Sequence, residues 1–545
     1  MSKNIHFGDE ARLQMFSGME KVAKVVSATI GPKGRNVIFS RGYGAPQVTN
    51  DGVTIAKEIE LEDKIENMGA ELIKEAASRT NDAAWDGTST ATLLTYAMVK
   101  EWLREIRSGI NAIELKNGMK KAGSLVVAEL EKMSKTLHTQ EEIEQVATIS
   151  AQDSEVGRII ADAMEKVGKD GVITVEEGRT FWLEVEVTEG MQFDNGYISP
   201  YMITDGEKME WRISDAHILI TDKKISSLKD ILGVLETLAQ SGKRELVIIA
   251  DDIDGEALTG IILNKLKWVL TVLGIKAPGF GDKKKEMLRD LAVLTGATFI
   301  TDETGYKLEN AHVDHLGRAN AVISTKDSTT IISGGGDSHL IAARVRELGA
   351  QLEASKSNYD KEKLAERIAK LAGGIAVIKV GAASEVEMKE KKLRIEDALN
   401  ATKAAVDEGI VAGGGVALLK AARVLENAEF SKEEKVGADI VARALTYPVR
   451  QIADNAGKEW AVVVNEVRNH KDINYGYDAA RDEYKDLVKA GIIDPTKVER
   501  CALENAISIA GMFLTTEALI VDAPKKEETP MMPPGGGMGG MGGMY

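Results

Sequence analysis

The chain has 545 residues, of which 43% are hydrophobic, and its 85 acidic and 69 basic side chains give a net charge of -16. A chain of this length divides into several cores, about three or four domains. The acidic balance excludes nucleic acid as the main partner, because phosphate backbones are bound by an excess of Lys and Arg. Cys501 is the single cysteine, which excludes an internal disulfide and a cysteine-based zinc site.

The N-terminal stretch MSKNIHFGDEARLQMF has no apolar segment of the kind that a signal peptide needs. No run approaches the roughly 18 apolar residues of a membrane span. The seven histidines are scattered and form no metal-binding pattern. We therefore expect a cytoplasmic protein with no membrane partner.

The apolar positions follow a helical period over residues 8–28 and again over 60–135. After these come short strand-like runs: GVITVEEG, LEVEVTEG, AHILITD, ELVIIADD and ATFITDE. Residues 338–372 return to a charged helical pattern, GGIAVIKVGAA predicts one more strand, and helix dominates from 385 onward. This order predicts a β-containing domain inserted into a helical one.

Glycines border the predicted insert and fill the end of the chain. Gly190 and Gly373-Gly374 are either hinges of the insert or ordinary turn glycines. The end, PPGGGMGGMGGMY, predicts a flexible tether, because glycine adds no apolar surface and loses the most entropy on ordering.

No Walker A motif is present, so a nucleotide would be bound by another device. Four segments could supply one: TIGPKGRN (29–36), TNDGVT (49–54), DGTST (86–90) and VAGGGVAL (411–418).

The first segment makes a tight turn whose N–H groups can face an anion, and DGTST combines a helix N-terminus with hydroxyls for phosphates. Asp86 is placed to hold Mg²⁺, and Asp51 lies in a turn before a strand-like run. The glycines of the last segment let the backbone approach a ring or ribose closely. Considered alone, each segment is more simply explained as local structure than as a binding site: a turn, an Asx-turn, an N-cap or a helix-capping glycine.

Taken with the rest of the chain, these motifs closely resemble the bacterial group I chaperonins, the GroEL family. The resemblance runs in order over essentially the whole chain. It is carried by TIGPKGRNV, TNDGVTIAKEIELEDKIENMGAELIKE, DGTSTAT, KAPGFGDKKK, AVIKVGAASEVEMKEKK, IEDALNATKAAVDEGIVAGGGVALL, GIIDPTKV and the GGM repeat.

The resemblance implies a mixed α/β multidomain fold: a helical equatorial domain split between the chain ends, a small intermediate hinge domain and an inserted α/β apical domain. The implied bounds are 1–132 with 408–522, 133–188 with 375–407, and 189–374, followed by a disordered tail over 523–545. The resemblance further implies a chaperonin ATPase that uses ATP, Mg²⁺ and K⁺. Heptameric rings, stacked in pairs, would enclose non-native polypeptides under a ring co-chaperonin of the GroES type.

The same resemblance implies the residues of the nucleotide site, in two groups. The pocket would contain Thr29, Ile30, Gly31, Pro32, Asn50, Gly414, Asp478, Ala479, Ala480 and Asp494. The phosphates would lie on Asp86, Gly87, Thr88, Ser89 and Thr90, with Mg²⁺ on Asp86. Asp397 of the intermediate domain would polarise the attacking water, with Asp51 close by, since in-line phosphoryl transfer depends on a positioned water and on charge neutralisation.

Client polypeptides would bind an apolar groove of the apical domain, which would also take the mobile loop of the co-chaperonin. The resemblance implies that this groove is formed by Tyr197, Ser199, Tyr201, Met202, Leu232, Leu235, Leu258, Ile262 and Leu263, and that the last five are partly exposed. Without the resemblance, the helical spacing of the last five is typical of a buried core.

The sequence departs from the family pattern at four positions. Trp85 replaces a glycine just past a helix end, where a left-handed conformation is usual, and a tryptophan there would cost about 1–3 kcal/mol. Asp478 replaces an asparagine and places an extra negative charge near the base edge of the nucleotide. Asn50 replaces a lysine. Asn195 replaces an arginine that can pair with Glu385, so one ion pair between the apical and intermediate domains would be missing.

Three functions are consistent with these patterns. The first is an ATP-driven folding chamber, and the second is a passive ring holdase whose ATPase is impaired by Trp85. The third, a small-molecule phosphotransferase, ranks last because the sequence offers no lysine-rich phosphate clamp. Arg450 and Glu459 are either contacts between stacked rings or solvated surface charges.

Overall fold

The computed structural model describes residues 3–40, 46–105, 111–151, 153–168, 171–178, 182–206, 209–240, 242–267, 270–355, 357–382 and 384–522. The GGM tail, for which the sequence predicts disorder, lies outside these residues. The chain forms two compact units. The terminal unit combines residues up to 136 with those from 407 onward, and the inserted unit comprises residues 137–406.

The helices are α1 (Gly8–Ser27), α2 (Gly52–Glu58), α3 (Lys64–Ala84), α4 (Thr88–Glu105), α5 (Ala112–Met133), α6 (Gln140–Ala151), α7 (Ser154–Val167), α8 (Leu232–Gln240), α9 (Gly255–Leu266), α10 (Gly281–Thr295), α11 (Ser338–Ala354), α12 (Asn358–Ala372), α13 (Glu385–Glu408), α14 (Val416–Ala421), α15 (Lys432–Ala444), α16 (Tyr447–Asn455), α17 (Trp460–Asn469) and α18 (Thr496–Leu514).

The strands are β1 (Lys3–Phe7), β2 (Val37–Phe39), β3 (Gln47–Thr49), β4 (Val172–Glu177), β5 (Glu184–Thr188), β6 (Gly190–Asp194), β7 (Trp211–Thr221), β8 (Lys224–Ile225), β9 (Glu245–Ala250), β10 (Asp252–Ile253), β11 (Thr271–Lys276), β12 (Phe299–Ile300), β13 (Gly317–Ser324), β14 (Ser328–Gly334), β15 (Ile375–Val380), β16 (Ile410–Ala412), β17 (Tyr475–Asp478), β18 (Glu483–Asp486), β19 (Ile493–Pro495) and β20 (Ala518–Asp522).

The terminal unit is helical and draws on both ends of the chain, whereas the inserted unit carries the larger sheet. This nested, mixed α/β arrangement confirms the fold class predicted from the sequence. The finer division of the inserted unit into an intermediate and an apical domain stays a prediction.

The short strand-like runs of the inserted unit are confirmed as β4, β5, β7, β9 and β12, and GGIAVIKVGAA forms β15. The strand expected after Asp51 is wrong, because residues 52–58 form α2. The reason is local. The Asp51 carboxylate accepts the Thr54 N–H at 2.7 Å and thereby caps the first turn of a helix.

The core of the terminal unit depends on backbone contact between α1 and α3. A Cβ on Gly69 would lie 1.8 Å from the carbonyl oxygen of Met15, so only glycine allows the two helices to come this close. Around this crossing the unit buries large side chains such as Met19, Ile73 and Phe513. Each stabilises the fold by about 1.5–3 kcal/mol relative to an exposed position.

The inserted unit is built on a seven-stranded mixed sheet. The strand order is β11-β9-β7-β13-β14-β6, with β12 pairing β7. The β11, β9 and β7 pairs are parallel, and the pairs from β7 to β6 are antiparallel. A smaller sheet has the order β4-β15-β5. None of the described helices has both the length and the apolarity that crossing a bilayer requires.

Candidate nucleotide-binding site

The loop after α1 holds the first predicted segment in a tight turn. Thr29 continues the end of α1, since its hydroxyl donates to the Val26 carbonyl at 2.8 Å. Gly31 has φ 82°, a left-handed conformation that favours glycine. The Gly34 N–H then donates to the Gly31 carbonyl at 2.9 Å and closes the turn. Pro32 is exposed at its tip.

Helix α16 packs against this loop and holds its backbone. The Asn455 amide donates to the carbonyls of Ser27 and Ile30, both at 2.9 Å. On the same helix, the Ile452 side chain would lie 3.1 Å from a Cβ on Gly31. The backbone of the loop is therefore held by one amide and one apolar contact, neither of which the sequence alone pointed to.

The DGTST segment begins α4, as predicted. Helix α3 ends at Ala84, and Trp85 caps it in the left-handed conformation expected there, with φ 61° and ψ 6°. Its backbone N–H donates to the Asn81 carbonyl at 2.7 Å, and its side chain is 57% exposed. Helix α3 therefore ends where expected although a tryptophan stands in the place of glycine, and the left-handed backbone strain is confined to Trp85.

Gly87 fixes the approach of the loop to α18. Its φ is 79°, and a Cβ there would lie 2.7 Å from the Val498 side chain. Asp86, which precedes it, is exposed, and one of its carboxylate oxygens accepts the Gly87 N–H at 2.6 Å. Thr88 is buried, whereas Ser89 and Thr90 are half-buried.

The Asp51 turn meets the DGTST loop. A Cβ on Gly52 would lie 2.2 Å from the Ser89 hydroxyl and 3.2 Å from the Thr88 hydroxyl. Asp51 and Asn50, which precede this contact, are both exposed. Two of the predicted segments are thus brought together, with the exposed carboxylate of Asp51 beside the hydroxyl-bearing helix start.

The glycine-rich segment between β16 and α14 meets β19. Gly414 has φ 67°, and its N–H donates to the Asp494 carboxylate at 2.9 Å. A Cβ on Gly414 would lie 3.7 Å from the Ile452 side chain, which also supports Gly31. Ile452 therefore connects the first and last predicted segments.

Glu499 is an acidic residue of this region that the sequence reading missed. It lies on α18 next to Val498, is 3% exposed, and its Oε2 has no hydrogen-bond partner among the described residues. Burial, followed by repulsion from Asp494 and Asp86, raises the pKa of the Glu499 carboxyl well above its usual range. Burial also raises the pKa of Asp494. The hydrogen bond between Glu499 and Asp494 raises the pKa of Glu499 further and opposes the rise at Asp494. Its charged neighbours Lys497 and Arg500 gave no signal of burial in the sequence.

Asp478, which the sequence predicts to place an extra negative charge near the base edge of the nucleotide, has three partners in the structure. The Lys485 ammonium lies 2.7 Å from its carboxylate, and the N–H groups of Ala480 and Arg481 donate to the same carboxylate at 3.0 and 3.2 Å. These contacts outweigh burial and lower the pKa of Asp478. Ala479, which follows, is buried against the core near α14.

The other predicted catalytic residue belongs to the inserted unit. Asp397 is exposed on α13, whose neighbouring residues Ala398 and Leu399 are buried. In the same unit, the Asn195 amide donates to the Ala277 carbonyl at 3.0 Å. The ion pair that was predicted to be missing at Asn195 involves the Glu385 side chain, which is not among the described side chains.

The predicted client-binding residues divide into exposed and buried groups. Tyr201, Leu232 and Leu263 are 72%, 40% and 49% exposed. Leu258 and Ile262 are half-buried. For Leu235 the expected exposure is wrong, because its side chain packs into the core of the inserted unit. Tyr197, Ser199 and Met202 are buried as well.

The residues at the start of α4 fit a nucleotide with Mg²⁺. Glycines at 31, 52 and 87 let these segments pack closely on their neighbours, and the N–H groups of the first turn of α4 lie beside hydroxyls. Among the described residues, no group of three or more potential ligands could hold a metal ion. One carboxylate, Asp86, suits Mg²⁺ that takes its other ligands from phosphates and water.

The same fold occurs in a solved chaperonin. Chaperonin gp146 from bacteriophage EL 2 (Pseudomonas aeruginosa), solved in the presence of ATP-BeFx, is similar with a TM-score of 0.68 and 21% identity. The match covers 95% of this chain and 99% of that one, so the fold is that of a chaperonin. The model of the TCP-1/cpn60 chaperonin family matches residues 22–524, and the chain belongs to that family. The resemblance seen in the sequence is thereby confirmed.

Proposed function

We propose that the protein is an ATP-driven folding chaperonin that encloses non-native polypeptides in a ring. The start of α4 supports this proposal most directly. Despite Trp85, α3 ends at Ala84, Gly87 keeps its left-handed turn, and the hydroxyls of Thr88 and Ser89 lie against the backbone of Gly52. A phosphate-binding loop needs this arrangement of free N–H groups and hydroxyls.

In this proposal the chain's own residues position the nucleotide. Thr88, Ser89 and Thr90 donate to the phosphates from the first turn of α4, and Asp494 binds the ribose from beside Gly414. Asp86 holds Mg²⁺, which when bound neutralises charge on the phosphates. K⁺ would assist in the same way.

Hydrolysis would use carboxylates from both units. Asp397 would orient the attacking water and accept its proton, and Asp51 would support it from the turn beside Ser89. Because Asp397 belongs to the inserted unit, hydrolysis would be coupled to closure of that unit. The holdase is the second candidate, and the observation that favours it is the exposed indole of Trp85 next to Asp86.

Steady-state ATP hydrolysis with Mg²⁺ and K⁺ tests the proposal on the wild type, Trp85→Gly and the control Trp182→Gly. Trp182 is a similarly exposed tryptophan of the inserted unit. We expect hydrolysis by all three. A wild type without hydrolysis, beside an active Trp85→Gly, would establish the holdase.

Assembly and partners are tested separately. We propose heptameric rings, stacked in pairs, in the cytoplasm, with a ring co-chaperonin of the GroES type. Sedimentation gives the subunit number, and ATP-dependent refolding of a denatured enzyme with and without such a co-chaperonin tests the folding cycle. Refolding that is independent of ATP would contradict it.

A further inference from the structure

A cavity of about 180 Å³ opens between α1, α4 and α16 of the terminal unit. Three cationic side chains line it, one from each helix: Lys24, Lys100 and Arg450. The rings of Tyr96 and Tyr447 form part of its wall and are themselves only 7% exposed. The cavity is distinct from the residues that form the candidate nucleotide site.

Two of these cations contact aromatic rings in place of carboxylates. The Lys100 ammonium lies 5.1 Å from the centre of the Tyr96 ring and 6.0 Å from that of Tyr447. The Arg450 guanidinium lies 4.2 Å from the Tyr447 ring and 3.7 Å from the Trp460 ring. Neither cation forms an ion pair with any residue that the structure describes. Ring faces stabilise a cation only partly, by about 0.5–2 kcal/mol.

The acidic groups near the cavity are bound to other partners. Glu20 accepts the Tyr96 hydroxyl at 2.9 Å and lies 3.3 Å from the Lys24 ammonium. Glu101 accepts the Tyr447 hydroxyl at 2.9 Å and pairs with Arg104 at 2.7 Å.

Of the remaining groups that face the cavity, Asp454 opposes the positive potential and Lys100 contributes to it. Asp454 lies at the rim, where partial burial raises the pKa of its carboxyl and attraction to Arg450 lowers it. Burial, with repulsion from Arg104 and Arg450, lowers the pKa of Lys100, although Glu20 and Glu101 oppose this. An anion between Lys100 and Arg450 would relieve their repulsion.

We propose that this cavity binds a small oxyanion of the phosphate type, with Lys100 and Arg450 as its charged ligands. Its volume admits one such group with water but not a nucleotide. The planar guanidinium of Arg450, held between two rings, presents its N–H groups in a fixed orientation, which suits an oxyanion.

The cavity also borders the backbone that supports the candidate phosphate loop. Ser27 lines the cavity, and its carbonyl accepts from Asn455, which also holds Ile30. Gln451, on α16 one residue before Ile452, lines it as well. A bound anion here would therefore affect the position of the loop that contains Gly31. This coupling rests on the proposed nucleotide function, whereas binding of the anion does not.

Isothermal titration of the full, nucleotide-free chain with inorganic phosphate in low-salt buffer tests the site. Lys100→Gln removes one proposed ligand, and Lys120→Gln, an exposed lysine of α5, makes the same change of charge away from the cavity. We expect phosphate to bind the wild type and Lys120→Gln alike. Lys100→Gln should bind about tenfold more weakly, the usual effect of losing one charge-assisted contact.

A second variant and a competitor complete the test. Arg450→Gln should weaken phosphate binding while circular dichroism shows an intact fold. No phosphate binding by the wild type, or equal binding by Lys100→Gln and the wild type, would overturn the proposal. Phosphate that a non-hydrolysable ATP analogue displaces completely would belong to the start of α4 and would overturn it too. Failure of ATP hydrolysis with phosphate binding intact would leave this site standing.

Discussion

The terminal and inserted units differ in how their predicted functional residues are held. In the terminal unit, the segments predicted to bind a nucleotide are fixed by backbone contacts, such as the Gly52 backbone against Ser89 and the Gly414 N–H on Asp494. In the inserted unit, the predicted client residues are side chains of an apolar surface, and several, including Met202 and Leu235, are buried in the core.

This difference has a physical cause. A loop that must approach another backbone leaves a signal in the sequence, because only glycine fits the space or the left-handed conformation. An apolar side chain leaves no such signal, because the same leucine serves a core or a binding groove. Substitutions in both units test whether the proposed activity follows this division.

Asp397→Ala tests whether the inserted unit contributes to hydrolysis. Loss of the residue that orients water should lower the single-turnover rate of ATP hydrolysis by about 100-fold or more, with ATP affinity little changed. Glu390→Ala, an exposed acid of the same helix, is the control. Equal rates for the two variants would confine the chemistry to the terminal unit.

Gly52→Ala tests the backbone contact at the start of α4. The added Cβ would lie 2.2 Å from the Ser89 hydroxyl, so the loop must shift. Overpacking of about 1–3 kcal/mol predicts an ATP affinity weaker by about tenfold to 100-fold, measured by fluorescence titration. Gly349→Ala, on α11 with nothing within 4 Å of its Cβ, should leave affinity unchanged. Unchanged affinity for Gly52→Ala would show that the contact is dispensable.

Lys485→Gln tests the pairing of Asp478. In this variant the Asp478 carboxylate, which is 5% exposed, keeps only its two backbone N–H donors. We therefore expect a loss of about 1.5 kcal/mol in the free energy of unfolding. Because the folded-state pKa of Asp478 is lowered, this stabilisation is present above its unfolded pKa and disappears as pH falls through the folded value.

Denaturant unfolding at several pH values measures this effect. Lys489→Gln removes a lysine that is 85% exposed and should have little effect at any pH. A pH-independent loss in Lys485→Gln would mean that packing of the lysine stem, and not its charge, supports Asp478.

Trp85→Gly should have the smallest effect, on stability. Relief of left-handed strain is partly offset by the greater freedom of glycine in the unfolded chain, so we expect a gain of about 0.5–1 kcal/mol. Thermal unfolding measures it, with Trp182→Gly as the control that relieves no such strain. A destabilised Trp85→Gly would show that the indole makes contacts worth more than the strain.

The sequence predicted those features that depend on local conformation. The end of α3 at Trp85 and the start of α4 at Thr88 follow from capping rules, and the nested layout follows from the change of hydrophobic period. The helix after Asp51 was missed because Val53, Thr54 and Ile55 are β-branched, while the cap on Thr54 decides the conformation.

The sequence did not predict contacts between residues that are distant in the chain. Lys485 comes seven residues after Asp478, and nothing in the spacing shows that two strands, β17 and β18, bring them together. Ile452 supports both Gly31 and Gly414 from a helix that is far from each in sequence. Such contacts come from packing, which no local pattern reports.

The left-handed tryptophan has an optical consequence. Indole emission depends on the polarity around the ring; among the described tryptophans Trp102 and Trp211 are buried, whereas Trp85 and Trp182 are mostly in water. Trp85 also adjoins Asp86 in the chain, so its ring is attached directly to the loop proposed to receive the phosphates. The protein therefore carries a built-in chromophore at that loop, and its fluorescence can follow nucleotide arrival without a label.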